Sequence, residues 1–397
     1  MKTSGKWGPS LGLCALVVLS LGLLIPAGAA QTNVPGRVIA WGCGVDNDWG
    51  QCRVPSGPTG VTSIAAGGTH SLALKRDGTV VAWGCGAPIN SGQCGVPSGL
   101  SGVTAIAAGI GQSLALKSDG TVVVWGCQGS DFGQCSVPTG LSGAKAIAAG
   151  SFHSLALRGD ASVIAWGCHG MDFGQCSVPT NLTGVTAIAA GGFHSLALRS
   201  DGTVVAWGCN AIPGDFGQCS VPSGLTGVTA IAAAGAHSLA LKRDGTVVAW
   251  GCRGVDSGQC GVPSGLSGVT AIAAGSAHSL AVKRNGTVVA WGCGAGANDG
   301  QCNVPSGLSR VSAIAAGAYH SLALVQPFTC KVPKVVGMRV AAAKRAIAKR
   351  HCSTGRVTNA YSRKGRKGVV ISQSRRPGKV LPARSRINLV VSRGRKR

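Results

Sequence analysis

Apolar residues fall in short alternating runs punctuated by Gly, Asp and Pro, and the same succession of runs returns along most of the chain. In one copy, Ser195-Leu196-Ala197-Leu198 and Val204-Val205-Ala206-Trp207 flank Asp201-Gly202. Alternation at period two predicts strands, and Asp-Gly supplies the positive φ angles of a tight hairpin turn. Ahead of the hairpin, Ala187-Ile188-Ala189-Ala190-Gly191 reads as a strand whose small side chains suit crowding against its copies around an axis. Behind it, Cys219-Ser220-Val221-Pro222 reads as a fourth, outer strand, because proline is tolerated at a sheet edge.

The marker Trp-Gly-Cys falls at Trp41, Trp83, Trp125, Trp166, Trp207, Trp250 and Trp291, at spacings of 42, 42, 41, 41, 43 and 41 residues. A fixed period in this range signals a repeat architecture. Four strands per unit and seven units predict an all-β fold, a seven-bladed β-propeller over residues 34–326. The array starts in mid-unit at Arg37 and stops in mid-unit at Leu324, so each end supplies the half that the other lacks. The two ends are therefore expected to share one blade, closing the ring without an open sheet edge.

Residues 1–30 have a different pattern. Lys2 and Lys6 precede an apolar run from Leu11 to Ile25, and Ala27-Gly28-Ala29 offers a small-residue cleavage site. This reads as a secretory signal peptide. A membrane anchor is the competing reading, but the run falls short of the roughly 20 apolar residues that span a bilayer. After cleavage no transmembrane span remains, and the protein is expected to be secreted or cell-wall associated, in a bacterium.

Composition separates the rest of the chain into two parts. All 12 acidic residues are aspartates between Asp46 and Asp299, and the repeats carry 14 Lys and Arg. From Phe328 onward there are 21 Lys and Arg and no acid, so most of the net charge of +25 belongs to the tail. That tail is patterned: Val332-Pro333-Lys334-Val335-Val336-Gly337 leads into an alanine-rich stretch, Met338 to Arg350, of high helix propensity. Strand-like segments follow at Arg356–Tyr361, Gly368–Gln373 and Ile387–Ser392, with Pro377-Gly378 between the last two. A small α+β domain is expected over 328–393, with a basic tail at 394–397. Such a charge collects on anionic polymers, whether wall polymer, acidic polysaccharide or nucleic acid, and export disfavours nucleic acid. The bland reading is that the charge only keeps a small domain soluble.

The recurring Gly-x-x-His-Ser-Leu-Ala-Leu, Asp-Gly-Thr-Val-Val-Ala-Trp-Gly and Gly-Gln elements resemble the regulator of chromosome condensation repeat. Within that family, the 41-residue spacing and the Val-Pro after Gly-Gln are most similar to secreted bacterial propellers that inhibit β-lactamases. Cysteine after Trp-Gly and after Gly-Gln departs from both patterns. The tail's Val-Pro-x-Val-x-Gly, helix, strands and Pro-Gly resemble the PASTA domain, an extracellular module of penicillin-binding proteins and serine/threonine kinases, some of which recognise peptidoglycan fragments. Arg375 and Arg384 stand where that resemblance implies proline and glycine.

Leaving Cys14 in the leader, 16 cysteines form eight neighbouring pairs: Cys43 with Cys52, Cys85 with Cys94, Cys127 with Cys135, Cys168 with Cys176, Cys209 with Cys219, Cys252 with Cys260, Cys293 with Cys302, and Cys330 with Cys352. In an exported chain these read as disulfides. Zinc is the weaker reading, since a tetrahedral site wants four close ligands and each repeat offers two.

Comparison between repeats separates residues that serve the blade from residues that break the pattern. His70, His153, His194, His237, His278 and His320 share one position, with Gln112 at the seventh, and read as structural rather than as a catalytic or metal ring. His169 and His351 are solitary. No nucleophile motif, phosphate loop or repeat-breaking carboxylate pair is present, so no catalytic residue, cofactor or metal is expected. Strand parity puts the Gly-x-x-His loops and the Cys-to-Cys loops on one face, where Trp49, Phe132, Phe152, Phe173, Phe193, Phe216 and Tyr319 break the repeat. These are the candidate partner-binding residues, for an unidentified protein or glycan. Packing of each ring over its own loop is the alternative. The opposite face collects Lys75, Arg76, Lys117, Arg158, Arg199, Lys242, Arg243, Lys283 and Arg284.

The leading expectation is a non-catalytic exported binding protein, its propeller gripping a partner and residues 328–397 attaching to peptidoglycan or anionic cell-wall polymer. Inhibition of a secreted enzyme such as a β-lactamase is the alternative implied by resemblance. Guanine nucleotide exchange, the third class, conflicts with export and disulfides.

Overall fold

In the computed structural model the described residues are 36–396, apart from 45–46, 57–58, 87–89, 130, 210–214, 295–297 and 364. The expected leader at 1–30, with Cys14, lies outside them. The chain forms two compact units, one over Val38–Val325 and one over Gln326–Arg397.

The first unit is a seven-bladed β-propeller. Blades 1 to 6 each contain three consecutive antiparallel strands, as in blade 4 with Val185–Ala190, His194–Arg199 and Val204–Gly208. Blade 7 joins the ends of the array: Arg37–Gly42 lies beside His320–Val325, which pairs with Val311–Ala316. Ring closure is thus built from hydrogen bonds between residues nearly 300 positions apart in the chain.

One expectation fails. The segment Cys219–Pro222 forms turns rather than a fourth strand, and its counterparts do the same. Ser220 N–H donates to Gly217 O at 3.0 Å and Val221 N–H to Cys219 O at 3.0 Å, so the donors a ladder needs are spent locally, and Pro222 has none. Blades are three-stranded.

Packing follows from residue size. The inner strands present Ala and Ile, and Ala189, Ala190, Ala232 and Ala233 are fully buried where neighbouring blades meet. Each inner strand also carries a bulge after its first residue, at Thr186 in blade 4. The bulge turns the Thr186 hydroxyl toward Leu198 O, to which it donates at 3.1 Å. All seven marker tryptophans are buried.

The second unit has its own core of Val332, Val335, Ala343, Ile347, Val370, Ile387, Leu389 and Val391 around Cys330–Cys352. Its helix runs from Val340 to Lys349 and buries Ala343 and Ile347, four residues apart on one face. The sheet order is Ser353–Ala360, Arg386–Ser392, Val370–Gln373, the first pair parallel and the second antiparallel. A small pairing of Thr329–Lys331 with Val380–Pro382 was not foreseen. Arg384 has φ 60°, the left-handed conformation that suits the glycine implied at its position.

Candidate functional site

The Trp-Gly-Cys corner organises the loop-bearing face. Gly208 has φ 96°, and a Cβ there would lie 2.6 Å from Phe193 O, so only glycine fits. The next residue, Cys209, takes φ 62° and forms a disulfide with Cys219. The other propeller loops are closed in the same way, by bonds from Cys43 to Cys52, Cys85 to Cys94, Cys127 to Cys135, Cys168 to Cys176, Cys252 to Cys260 and Cys293 to Cys302. Cys330 and Cys352 form the eighth bond, in the second unit. Every expected neighbouring pair is therefore joined, and each sulfur is spent on its own loop rather than on a metal.

Beneath the disulfides lies a repeated seam. Gln175 O accepts both Trp207 Nε1–H and Ser195 Oγ–H, each at 3.0 Å. Because the serine proton is committed to that carbonyl, Ser195 Oγ can only accept from His153 Nε2–H, 2.9 Å away in the preceding blade. The same His–Ser bond crosses six of the seven seams. At the seventh, Gln112 Nε2 donates instead to Gly150 O at 2.9 Å. Burial lowers the pKa of these six histidines to about 3, so they are neutral near pH 7. A His–Ser pair can be a base and nucleophile, but here both side chains are fully buried and the serine proton points at a backbone carbonyl. The histidines therefore serve the blades. Among the described residues, no group of three or more His, Cys, Asp or Glu is placed to hold a metal ion.

Above the seams, the two loop classes interlock. Cys168 N–H donates to Phe152 O at 2.8 Å, and His169 N–H to Phe132 O at 2.8 Å. This brings four of the repeat-breaking rings into a continuous strip across blades 3 and 4. Phe132 meets Phe152 edge-on at 5.0 Å, Phe152 meets Phe193 at 5.6 Å, and Phe193 meets Phe173 edge-on at 4.9 Å. A second pair, Trp49 and Tyr319 at 5.7 Å, sits where the ring closes. Phe216 belongs to neither group among the described ring contacts. Phe132, Phe152 and Phe173 are half-buried, whereas Phe193 is only 8% exposed and acts as the floor on which Phe152 and Phe173 rest.

The two faces differ in charge. Among the described residues, the Cys-to-Cys loops carry Asp48, Asp131, Asp172, Asp215, Asp256 and Asp299 against one arginine, Arg253, with Arg53 directly after Cys52. Each of the first five aspartates accepts the N–H of the glycine two residues on, as Asp172 does from Gly174 at 2.7 Å, which fixes the turn and holds the carboxylate at the rim. On the hairpin-turn face, Lys75–Asp77, Lys117–Asp119 and Lys242–Asp244 form ion pairs at 2.9, 3.1 and 3.4 Å. In blade 6, Asn285 stands at the aspartate position, leaving Lys283 and Arg284 without that counter-charge.

Two grooves mark the second unit. One, of about 660 Å³, is lined by Val336, Val369 and Ile371 together with Arg339, Arg366 and Lys367. The other, of about 460 Å³, is lined by Arg356, Ser374, Arg375, Arg386 and Asn388. Neither was legible as a site in the sequence, since the lining residues come from strands and loops separated along the chain; the total lack of acids in the tail was the available signal.

Fold and loop geometry together define a disulfide-stapled propeller joined to a small basic α+β module. The family model described as the regulator of chromosome condensation (RCC1) repeat matches residues 61–93, 144–175, 185–218 and 269–301, and the PASTA domain model matches 331–393. The chain thus carries RCC1 repeats and a PASTA domain. Among solved structures it is similar to Prp20p from Saccharomyces cerevisiae, at 22% identity and TM-score 0.59 over 74% of this chain and 93% of that one. It is also similar to human WBSCR16, at 19% identity and TM-score 0.52 over 74% and 99% of the two chains. The ectodomain of the Arabidopsis thaliana receptor kinase ACR4 matches at 24% identity and TM-score 0.50 over 65% and 90%. These likenesses establish the propeller fold. Comparison with curated proteins gives no significant match. Eight disulfides and a PASTA domain fit an extracellular protein.

Proposed function

We propose that this is an exported, non-catalytic binding protein. Its propeller takes a protein or glycan on the loop-bearing face, and its PASTA unit holds the chain to peptidoglycan or anionic cell-wall polymer. The observation that carries the propeller half is the strip in which Phe132, Phe152 and Phe173 lie half-buried against one another and over Phe193, because these three rings break the repeat and keep exposed surface for a partner. Half-buried aromatics held rigid by one another lose little entropy on binding, and aromatic residues are enriched among interface anchors. The aspartates around them suit a partner that offers basic as well as apolar groups. Prp20p is described with binding to Gsp1p and histones, but at this identity the likeness carries fold alone.

The wall half rests on the PASTA match and on a unit without a single acid. The test is sedimentation with isolated bacterial walls, comparing the full chain with one ending at residue 325. Full-chain retention that weakens with salt, and loss of retention on truncation, are expected. Equal retention of the truncated propeller overturns the assignment.

Inhibition of a secreted enzyme is the second reading, favoured by the same aromatic strip on a loop face. Residual β-lactamase activity, titrated against the purified chain, decides it: undiminished activity at micromolar chain removes that reading and leaves the first intact.

A further inference from the structure

We infer that Arg356, Arg375 and Arg386 form a recognition site for the phosphate groups of an anionic polyol-phosphate polymer. This rests on the wall-binding reading above and assigns it a place and a chemistry. From Phe328 onward the sequence contains no Asp or Glu, so none of these guanidinium groups can be neutralised by a side-chain carboxylate of its own unit. All three are exposed and border one groove of about 460 Å³.

The groove is built rather than incidental. Arg356 N–H donates to Asn388 Oδ1 at 2.9 Å, Asn388 N–H to Ser374 Oγ at 2.9 Å, and Ser374 N–H to Asn388 O at 3.0 Å. These bonds pin residues from three adjacent chain segments into one row. Gly355 makes the row possible, since a Cβ there would lie 2.0 Å from Asn388 Oδ1. With its oxygen occupied, Asn388 retains its amide Nδ2 as a further donor beside the arginines.

The lining also selects among anions. It contains no aromatic or aliphatic side chain on which a sugar face could pack, so a neutral glycan is poorly served. Three planar forks around one groove exceed what a single carboxylate can use and match the several acceptor oxygens of phosphate, which guanidinium binds in bidentate fashion. The larger groove, with Val336, Val369 and Ile371, lacks this uniformity.

The experiment uses the full chain with three probes: intact walls, walls stripped of phosphodiester polymer so that peptidoglycan remains, and soluble poly(glycerol phosphate). Its variants are R356Q/R375Q/R386Q and the charge-matched K344Q/R345Q/K349Q, which alters exposed positions on the helix. The arginine variant should bind intact walls and soluble polymer about tenfold more weakly or worse, and the helix variant much less affected. Stripping should lower wild-type binding to the level of the arginine variant. Equal losses in the two variants reduce the effect to net charge, and undiminished binding to stripped walls assigns the unit to peptidoglycan; either result overturns the phosphate site while leaving wall attachment standing. Failure of the wild type to bind any wall removes the reading beneath it. Far-ultraviolet circular dichroism matching the wild type confirms that each variant is folded.

Discussion

His194 Nε2 lies 2.9 Å from Ser238 Oγ, joining blade 4 to blade 5 at a point where both side chains are fully buried. A histidine so placed must stay neutral, and burial, with smaller contributions from His153 and His237, lowers its pKa to about 3. The unfolded chain, with histidine near 6.5, binds more protons than the folded one between those values, so stability falls as pH drops through that window. Six such histidines should make the propeller lose stability steeply below about pH 6.5, before carboxylate protonation contributes below about pH 4. Asp119 and Asp244, lowered to about 2 chiefly by hydrogen bonds from Thr121 and Thr246, act only in that lower range and in the same direction. Thermal melts from pH 7 to 4 should show the decline. His194→Gln, which copies the native Gln112 seam, should flatten it by about one proton's worth, up to about 1.4 kcal/mol per pH unit. A pH dependence unchanged in that variant would falsify the seam assignment.

Trp207 and Ser195 donate to the same acceptor, Gln175 O. Either W207F or S195A leaves the carbonyl one partner, whereas the double variant leaves a buried acceptor with none. W207F should cost about 1–2 kcal/mol for the bond to Gln175 O and S195A more, about 2–3 kcal/mol, because it also strands the buried His153 Nε2–H, and the pair should exceed the sum. Urea unfolding of the four-member cycle measures the coupling. Strict additivity would show that the two bonds are independent.

The disulfides predict a local pattern. Non-reducing peptide mapping should recover Cys168 with Cys176, Cys209 with Cys219 and the remaining neighbouring pairs, never a link between blades. Each closes a loop of 8 to 10 residues in the propeller. In the chain-entropy account such a bridge contributes about 2.5–3 kcal/mol. C168S/C176S should therefore lower the melting temperature measurably, while reduction of all eight should do so severely.

Phe193 and Phe152 separate packing from binding. Phe193 is buried beneath its neighbours, so Phe193→Ala should cost about 3 kcal/mol or more in stability. Phe132→Ala and Phe152→Ala, at half-buried rings, should cost less and should weaken partner capture by about 2 kcal/mol where the ring is an anchor. Should capture survive these changes but vanish on replacing Arg76, Arg158 and Arg199, the hairpin-turn face is the working one.

The repeat period, the hairpins, the ring closure and the cysteine pairing were legible in the sequence because each follows from local pattern or from counting. Period-two apolar runs around Asp201-Gly202 allow little but a hairpin, and half-units at Arg37 and Leu324 require a shared blade. The supposed outer strand at Cys219–Pro222 misled because a Val-Pro edge pattern does not reveal that its donors are taken by turns. What only the tertiary structure decided is which residues meet across the repeat. The histidine position recurs visibly, but that its partner is the serine of the next blade depends on how blades stack. Likewise, the aromatic positions stood out one by one, whereas their division into a strip of four, a pair and the separate Phe216 depends on loop packing. Arg356, Arg375 and Arg386 were inconspicuous among 21 basic residues, and strand pairing together with the Ser374–Asn388 hydrogen bonds brings them to one groove. Local preferences specify elements within a repeat, while contacts between elements distant in sequence arise from packing, which no local pattern encodes.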